Sequence, residues 1–387
     1  MKKIILFSFL GLLFFNLKAQ QNDFKPSNNQ FVIHGYGHAG FNSFDNNGDK
    51  NSSFNGGTFA PIFLFKASDR LMFEAELEFD LAGGDELEIG LEYADIMYVL
   101  NDYMTVRAGK FLLPFGTFME RLHPSWINRM PTRPLGFGHD GIAPISGVGV
   151  ELRGAFRVGT STMNYSVYST NGPRLKTPGG EEPLESGMLM FMNLKDNNNS
   201  RAYGTRIGLL PFSDSSTELG FSYYTSSKTG TEDSMYENIG ANLYAFDFSF
   251  VKQLPVIGGT VDVKAQYNNS TIDNITYNVE EEPGEFEDLI FNNESKSYYG
   301  QLSYRPTMSE TDFIKNLEFA GRYSKLETPE GSGFETNQEE FSVGLNYWLN
   351  WHSVLKLNYQ HITGEGGHDG AGKIDQKGIF LHWAIGF

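Results

Sequence analysis

Short stretches in which apolar and polar residues alternate recur along the whole chain and constrain its fold more than any other feature. Leu71–Asp80 reads LMFEAELEFD, and the same period is found in Met104–Gly109, Val148–Arg153, Val261–Tyr267 and Leu355–Gln360. A period of two places successive side chains on opposite faces of a β-strand. Because no stretch sustains a period of 3.6 residues, the sequence predicts an all-β fold of about 16 strands.

Alternation alone fits both a soluble β-sandwich and a transmembrane barrel, since each has one apolar and one polar face. The connections between strands separate the two folds. Short breaks near residues 68–70, 101–102, 158–160, 213–216 and 350–352 alternate with long ones at Asp45–Gly56, Leu112–Ser146, Asn171–Ser200, Thr271–Glu294, Thr328–Gln338 and Gly364–Gln376. Short turns at one end and long loops at the other are typical of an outer-membrane barrel. We therefore predict a single transmembrane antiparallel β-barrel over residues 30–387.

Two of the predicted strands have irregular patterns. In Glu86–Leu100 the alternation slips near Ala94–Asp95, and Ala241–Val251 is apolar on both of its faces. Neither pattern fits a strand that has lipid on one side and a polar lumen on the other. These two segments are the least regular of the predicted strands.

The two ends of the sequence indicate export and membrane insertion. Residues 1–19 contain Lys2 and Lys3, an apolar run and a final small residue, the pattern of a secretory signal peptide. Residues 20–29 form a short segment before the first strand. At the other end, GIFLHWAIGF places alternate apolar side chains on one face and ends on Phe387. A terminal aromatic residue on such a strand resembles the signal that the barrel-assembly machinery recognises in the outer membrane.

Composition narrows the classes of function. The chain has a net charge of −17 and no cysteine, so nucleic acid is not an expected partner and thiol chemistry is excluded. Its 33 Phe, 19 Tyr and 4 Trp residues can supply aromatic girdles at the membrane interfaces. The sequence has no G-x-S-x-G motif and no H-E-x-x-H motif. We predict neither an enzyme nor a cofactor or metal site.

One long break is unusual in its composition. GKFLLPFGTFMERLHPSWINRMPTRPLGFGH begins at Gly109, and five prolines lie between Pro114 and Pro144. Five basic residues and one acidic residue lie between Arg107 and His139, although the whole chain is acidic. This segment is too long for a turn between neighbouring strands, and its positive charge is unusual in an acidic chain.

The same region carries a resemblance to a known family. ADIMYVLNDYMTVRAGKFLLPFG (Ala94–Gly116) resembles the Gly-Lys-Phe-x-x-Pro-Phe-Gly element and preceding strands of the phosphate-selective porins, the porin O and P family. Later strands, among them RAYGTRIGLLPF (Arg201–Phe212) and SYYGQLSYRP (Ser297–Pro306), resemble the family in the same order. The resemblance implies a 16-stranded barrel, a homotrimer, and a loop that folds into the pore at residues 112–146. It also implies a passage for anions such as phosphate.

Charged residues then divide into two candidate sets. Prolines and glycines would fix the path of the loop, and guanidinium groups suit phosphate oxygens. The predicted anion-binding residues are those on the loop and those with lumen-facing parity: Arg107, Arg121, Arg129, Arg133, Arg153, Arg206 and Arg322. The predicted acidic wall of the lumen is formed by Glu74, Glu76, Glu78 and Asp80. The arginines could instead pair with wall carboxylates and hold the loop in place.

Three functions stay open at this point. The first is an outer-membrane porin, a passive channel for small hydrophilic solutes and particularly anions. The second is a general or cation-preferring porin, which the acidic wall favours. The third is a non-transporting barrel, an adhesin or scaffold, in which the loop closes the lumen. In each case we expect outer-membrane lipid and lipopolysaccharide as surroundings.

Overall fold

The computed structural model describes residues 29–81, 87–138, 141–180, 182–192, 194–282, 284–366 and 372–387. The predicted signal peptide and all but the last residue of segment 20–29 lie outside these ranges, so both stay predictions. No helix in the described ranges is long and apolar enough to cross a membrane. The described helices are single turns at Phe118–Leu122, Pro183–Glu185, Pro255–Ile257 and Asp312–Lys315.

The wall is a closed barrel of 16 antiparallel strands, as the alternation predicts. The first eight are β1 (Gln30–Asn46), β2 (Asp49–Asn55 and Thr58–Lys66), β3 (Leu71–Asp80), β4 (Glu88–Asn101), β5 (Met104–Leu112), β6 (Ser146–Val158), β7 (Ser161–Asn171) and β8 (Arg201–Leu210). The others are β9 (Thr217–Ser226), β10 (Ala241–Leu254), β11 (Gly259–Ile272), β12 (Glu294–Arg305), β13 (Leu317–Glu327), β14 (Thr336–Asn350), β15 (Ser353–Gly366) and β16 (Lys373–Gly386). Strand β1 pairs with β16 and closes the barrel, which leaves no sheet edge.

The connections divide the barrel into two ends. At the short-turn end, the connections span 67–70, 102–103, 159–160, 211–216, 255–258, 306–316 and 351–352. The long-loop end carries the connections 113–145, 172–200, 227–240, 273–293 and 328–335. Two smaller hairpins lie within these loops: Arg174–Leu175 with Leu189–Met190, and Tyr277–Glu282 with Glu285–Leu289.

One predicted loop is wrong. The sequence pattern predicts a long connection at Asp45–Gly56, but β1 and β2 are joined by a tight turn at Asn47 and Gly48. Both turn residues have positive φ, 53° and 102°. An Asn-Gly pair is the preferred sequence for such a hairpin turn. The polar residues before and after the turn are therefore strand, and they extend β1 and β2 beyond the apolar band.

The two irregular patterns have physical explanations. In β4, Glu76 pairs with Tyr93 and Leu77 pairs with Leu91, so Glu92 is the extra residue of a β-bulge. The bulge lies two residues before the predicted slip. In β10, Leu243 is fully buried on the lumen side, and its neighbours on that face are also apolar. That part of the lumen is filled with apolar side chains.

The parity of the strands agrees with the prediction of two faces. On β6, Val150 is 54% exposed and its neighbour Glu151 is 2% exposed. On β16, Leu381 and Trp383 are exposed, while His382 is buried between them. Apolar side chains thus cover the outside of the barrel, and charged side chains line much of the inside.

Candidate functional site

The connection 113–145, here called the inner loop, folds into the lumen. The backbone N–H of Gly116 donates to Ser222 Oγ on β9 at 3.0 Å. The N–H groups of Thr117 and Phe118 both donate to Gln266 Oε1 on β11, at 2.9 and 3.0 Å. Gly116 has φ 66°, and a Cβ there would lie 2.0 Å from the Gln266 side chain. Glycine is favoured here by the left-handed backbone conformation, and a Cβ would displace the Gln266 amide that accepts the two loop bonds.

Arg322 on β13 holds the far part of the inner loop. Its Nε and one terminal nitrogen donate to Glu340 Oε1 at 3.0 and 2.7 Å. The guanidinium also donates to the carbonyl of Thr132 at 2.7 Å and to that of Arg133 at 3.1 Å. Arg322 is 1% exposed. Its donors are thus used by one wall carboxylate and by the loop backbone.

Lys356 on β15 holds the loop in a similar way. Its buried ammonium donates to the carbonyls of Ser125, Asn128 and Met130. On neighbouring β14, Asn346 Nδ2 donates to the carbonyl of Arg129 at 3.0 Å. These bonds satisfy a backbone that belongs to no sheet, and they explain how an irregular segment can lie inside a barrel.

Arg107 on β5 is engaged by wall carboxylates close to the start of the inner loop. Its Nε lies 2.6 Å from Glu151 Oε2, and a terminal nitrogen lies 3.8 Å from Asp95. The same guanidinium donates to the carbonyl of Leu112 at 3.1 Å and lies over the Phe111 ring. Arg107 is buried, so its charge is compensated within the wall.

Arg206 on β8 is held by two carboxylates and an amide. Its terminal nitrogens lie 2.7 Å from Asp247 and 3.2 Å from Glu218, and one donates to Asn164 Oδ1 at 3.0 Å. Glu218 also accepts two bonds from Arg121 of the inner loop, at 3.0 and 3.2 Å. Glu218 thereby links the loop to the wall.

Glu120 lies on the inner loop between two arginines. Arg153 on β6 donates to Glu120 Oε1 at 2.8 Å, and Arg121 Nε lies 3.5 Å from Oε2. Burial acts to raise the pKa of Glu120, but Arg153, Arg121 and Arg107 together hold this pKa below its ordinary value. The Glu120 carboxylate therefore stays charged in the mildly acidic range and joins the two arginines.

Two more loop arginines complete the predicted set. Arg129 Nε lies 2.9 Å from Glu318, and a terminal nitrogen lies 3.3 Å from Asp262. Its guanidinium also lies 5.2 Å from the centre of the Trp348 ring. Arg133 has no carboxylate within ion-pair distance among the described residues. The arginines thus do not form one cluster, but are spread around the lumen with different partners.

The predicted acidic wall is on β3, with side chains on the lumen face. Glu76 is buried and accepts a hydrogen bond from Tyr36 Oη at 2.8 Å. Tyr36 Oη also lies 3.2 Å from His123 Nε2 of the inner loop. The other members are half-buried: Glu74, Glu78 and Asp80. One residue of this set is therefore tied to the loop through a tyrosine and a histidine.

Three acidic partners of the buried arginines are not among the predicted site residues. Glu218, Asp247 and Glu340 each bind a buried arginine. The alternation of their strands carried the necessary signal, since Phe341 is lipid-facing and its neighbour Glu340 must then face the lumen. Parity does not show which cation lies opposite, so these acids could not be distinguished from other wall charges.

Solvent reaches the loop arginines from the short-turn end. A chamber of about 500 Å³ is lined by Glu120, Arg121 and Arg153, with Met72 and Met97 among its other lining residues. The side chains of Arg121 and Arg153 are 37% and 32% exposed. Of the paired arginines at the loop, these two have the largest exposed fractions and can contact a solute.

The opposite part of the lumen, toward the long-loop end, is apolar. Connections 172–200, 227–240 and 273–293, here called the outer loops, place aromatic rings against Leu113 and Phe115 of the inner loop. Tyr277 stacks on Tyr236 at 5.6 Å and on Phe291 at 5.7 Å between ring centres. We call these buried residues the apolar cluster; it fills the lumen beside strands β7 to β11.

Comparison with known proteins gives no match to a family model or a curated protein. Several solved structures are similar in fold. The outer membrane channel DcaP of Acinetobacter baumannii has a TM-score of 0.59 and 13% identity, covering 94% of this chain and 98% of that one. An anion-selective porin from Comamonas acidovorans has a TM-score of 0.54 and 10% identity, covering 93% and 100%.

A third similar structure is OmpT, an outer membrane protein of Vibrio cholerae, in its trimer form. Its TM-score is 0.52 at 10% identity, with 92% of this chain and 99% of that one covered. All three identities are far too low to transfer a substrate or a subfamily. What they support is the fold: the chain is a barrel of the type found in bacterial outer-membrane porins and channels.

Proposed function

We propose that this protein is a porin of the bacterial outer membrane, a passive diffusion channel for small hydrophilic solutes. The main evidence for this proposal is that the barrel is closed and that the inner loop is held across its charged lumen. Such a loop narrows a pore and sets the field that a solute meets. The similar fold of proteins described as a channel and an anion-selective porin supports the proposal.

For charge preference, we propose a weak preference for cations. Arg107, Arg206 and Arg322 are buried and bonded to carboxylates, which limits their attraction for a passing anion. Glu74 and Glu78 have no ion-pair partner among the described residues. The preference for anions such as phosphate, which the family resemblance implies, stays a prediction and depends chiefly on Arg121 and Arg153.

The proposed channel also has a proposed route to the outer membrane and a proposed assembly. We propose export through residues 1–19 and insertion by the barrel-assembly machinery through the strand that ends in Phe387. A homotrimer surrounded by lipid and lipopolysaccharide is proposed as the assembly. The trimer form of the similar Vibrio cholerae protein supports this oligomeric state, and the exposed apolar outer face supports the lipid environment.

A second candidate function is a non-transporting barrel, an adhesin or a scaffold. The apolar cluster favours it, because the outer loops and inner loop pack against each other over part of the lumen. A barrel closed in this way would present its loops to a partner and would conduct no ions.

Single-channel recording in a planar bilayer tests both candidates. Purified protein is inserted, and conductance and reversal potential are measured under a KCl gradient before and after phosphate is added. Steady conductance with a small cation preference supports the proposed porin. Chloride preference with block by phosphate would instead restore the family-based selectivity. Correctly folded protein without any current would favour the scaffold.

A further inference from the structure

Both signs of charge line the chamber at the short-turn end. Arg121 of the inner loop and Arg153 of β6 contribute guanidinium groups, and Asp102, in the turn between β4 and β5, contributes a carboxylate. Met72 and Met97 are cross-strand neighbours on β3 and β4 and give the chamber an apolar surface. One solute can therefore meet cationic, anionic and apolar side chains in the same space.

Asp102 is a carboxylate of the chamber that is available to a solute. It is exposed, and its side chain has neither an ion pair nor a hydrogen bond among the described residues. Glu120, which also lines the chamber, lies between Arg153 and Arg121. A cationic group that enters the chamber thus meets an unpaired carboxylate at Asp102.

The two arginines retain hydrogen-bond donors although both are paired. Arg121 Nη1 donates to Glu218, and Arg153 Nη2 donates to a second carboxylate, that of Glu120. A guanidinium group has five N–H donors. In the part of the chain that the structure describes, neither Arg121 Nη2 nor Arg153 Nη1 has a partner. A solute carboxylate can therefore accept bonds from these nitrogens, while the paired charges give a simple anion little net attraction.

We propose that this chamber binds zwitterionic solutes with an apolar body, such as apolar amino acids and short peptides. The solute carboxylate accepts bonds from the arginines, its ammonium binds Asp102, and its apolar part contacts the methionines, which adapt to irregular shapes. Arg153 pairs with Thr105, three residues from Asp102, so the two charged positions lie roughly 10 Å apart along the wall. The chamber volume of about 500 Å³ lies in the range of small-molecule sites.

Binding of zwitterions rests on the proposed channel function, since the chamber lies in the proposed path of the current. A solute that carries only an ammonium or only a carboxylate engages one of the two charged groups and leaves the other without a partner. The proposed weak preference for small cations is compatible with this site, because an inorganic cation needs only carboxylates.

Reduction of the KCl conductance by added solute provides the test. Leucine is compared with leucine methyl ester, which carries only the ammonium, and with N-acetyl-leucine, which carries only the carboxylate. At about pH 6 the two free amino groups are charged. Exposed ion pairs contribute modestly, so leucine should halve the conductance at roughly threefold lower concentration than either matched compound. An equal or stronger effect of either matched compound would overturn the proposed solute class.

Two variants assign the two ends of the solute. Asp102→Asn should raise the half-blocking concentration of leucine and of its methyl ester roughly threefold, and leave that of N-acetyl-leucine unchanged. Arg121→Gln should do the same for leucine and N-acetyl-leucine, and leave the ester unchanged. Asp69→Asn is the matched control, because Asp69 is exposed on a neighbouring short turn, pairs with Lys66 and does not line the chamber. A change by Asp102→Asn that is equal for all three compounds would indicate only a general field and contradict the site.

The current without added solute distinguishes the two possible failures. A steady KCl current together with equal effects of the three compounds contradicts the zwitterion site and leaves the channel proposal intact. An unmodified protein that carries no current contradicts the channel proposal itself. Saturation-transfer NMR on the protein in detergent then still tests the site, since leucine should show a larger transfer than N-acetyl-leucine and lose it in Asp102→Asn.

Discussion

Two sides of the lumen are stabilised by different kinds of interaction. On strands β13 to β15, Arg322, Lys356 and Asn346 bind the backbone of the inner loop; we call this group the polar clamp. Across the lumen, the apolar cluster packs aromatic rings of the outer loops against Leu113 and Phe115. One side depends on directional bonds to buried charges, and the other on the burial of apolar surface.

This difference determines where the protein is most sensitive to substitution. A buried charge that loses its partner is strongly unfavourable, because the remaining group is neither hydrated nor paired. An apolar side chain that is shortened costs contacts and leaves a cavity, and its neighbours relax in part. We therefore expect abrupt effects in the polar clamp and graded effects in the apolar cluster.

The largest expected effect is that of Arg322→Met. The substitution leaves Glu340 buried without its cation and removes two bonds to loop carbonyls, for a loss of about 3–5 kcal/mol. The midpoint of thermal unfolding, followed by heat-dependent mobility on electrophoresis, should fall. Adding Glu340→Leu should recover part of the loss. A single variant as stable as the parent would show that the polar clamp does not depend on this pair.

Phe291→Ala should weaken the apolar cluster. The ring lies 7% exposed between Tyr277 and Phe334, and its removal should cost about 3 kcal/mol through lost contacts and a cavity. Limited trypsin digestion should cut the outer loop 172–200 faster, at Arg174 or Lys176. Phe286→Ala, at an exposed ring of the same connection, should digest like the parent. Equal rates in all three proteins would argue against a packed cluster.

Lys356→Met separates the loop clamp from the wall. Three loop carbonyls lose their charged donor, which should cost about 1.5–3 kcal/mol and loosen residues 125–130. Single-channel conductance should rise and become noisier. Lys264→Met is the matched control, because Lys264 binds Asp262 and Ser249 on the wall and does not hold the loop. An equal rise in both variants would contradict a specific role for Lys356.

Acidification should release the part of the loop around Glu120. The pKa of this carboxyl is below its ordinary value in the folded protein, so its stabilising effect is present above the unfolded pKa and is lost as pH falls through the folded pKa. Conductance recorded below about pH 4 should therefore fluctuate more than at neutral pH. Glu120→Gln should reduce the pH-dependent part of these fluctuations. An unchanged pH profile would exclude this carboxylate as the cause.

The smallest expected effect on stability is that of Arg121→Ala. Its pair with Glu218 is partly exposed, and such pairs contribute about 0–1 kcal/mol. The reversal potential under a KCl gradient should nevertheless move toward stronger cation preference, since a solvent-accessible positive charge leaves the chamber. A shift toward chloride would contradict the assignment of Arg121 to the solute path.

Alternation along the sequence, together with the order of short and long connections, was enough to predict a barrel of about 16 strands and the face on which many of its charges lie. Arg107 and Glu151 both face the lumen as their parity predicts, because the pleat of a strand fixes side-chain direction over a few residues. Asn47 and Gly48 are a local exception: an Asn-Gly pair favours a hairpin turn, and the long loop expected there does not form.

The partners across the lumen were decided by the tertiary structure alone. Arg322 and Thr132 are 190 positions apart, and their contact depends on how the barrel closes and how the inner loop crosses it. The division into a polar clamp and an apolar cluster has the same origin, because parity places Leu243 and Arg322 alike inside the barrel. The sequence therefore determined which side chains face inward, through a local rule of strand geometry. Only the folded barrel determined what each of them meets there, since that depends on contacts between distant strands and loops.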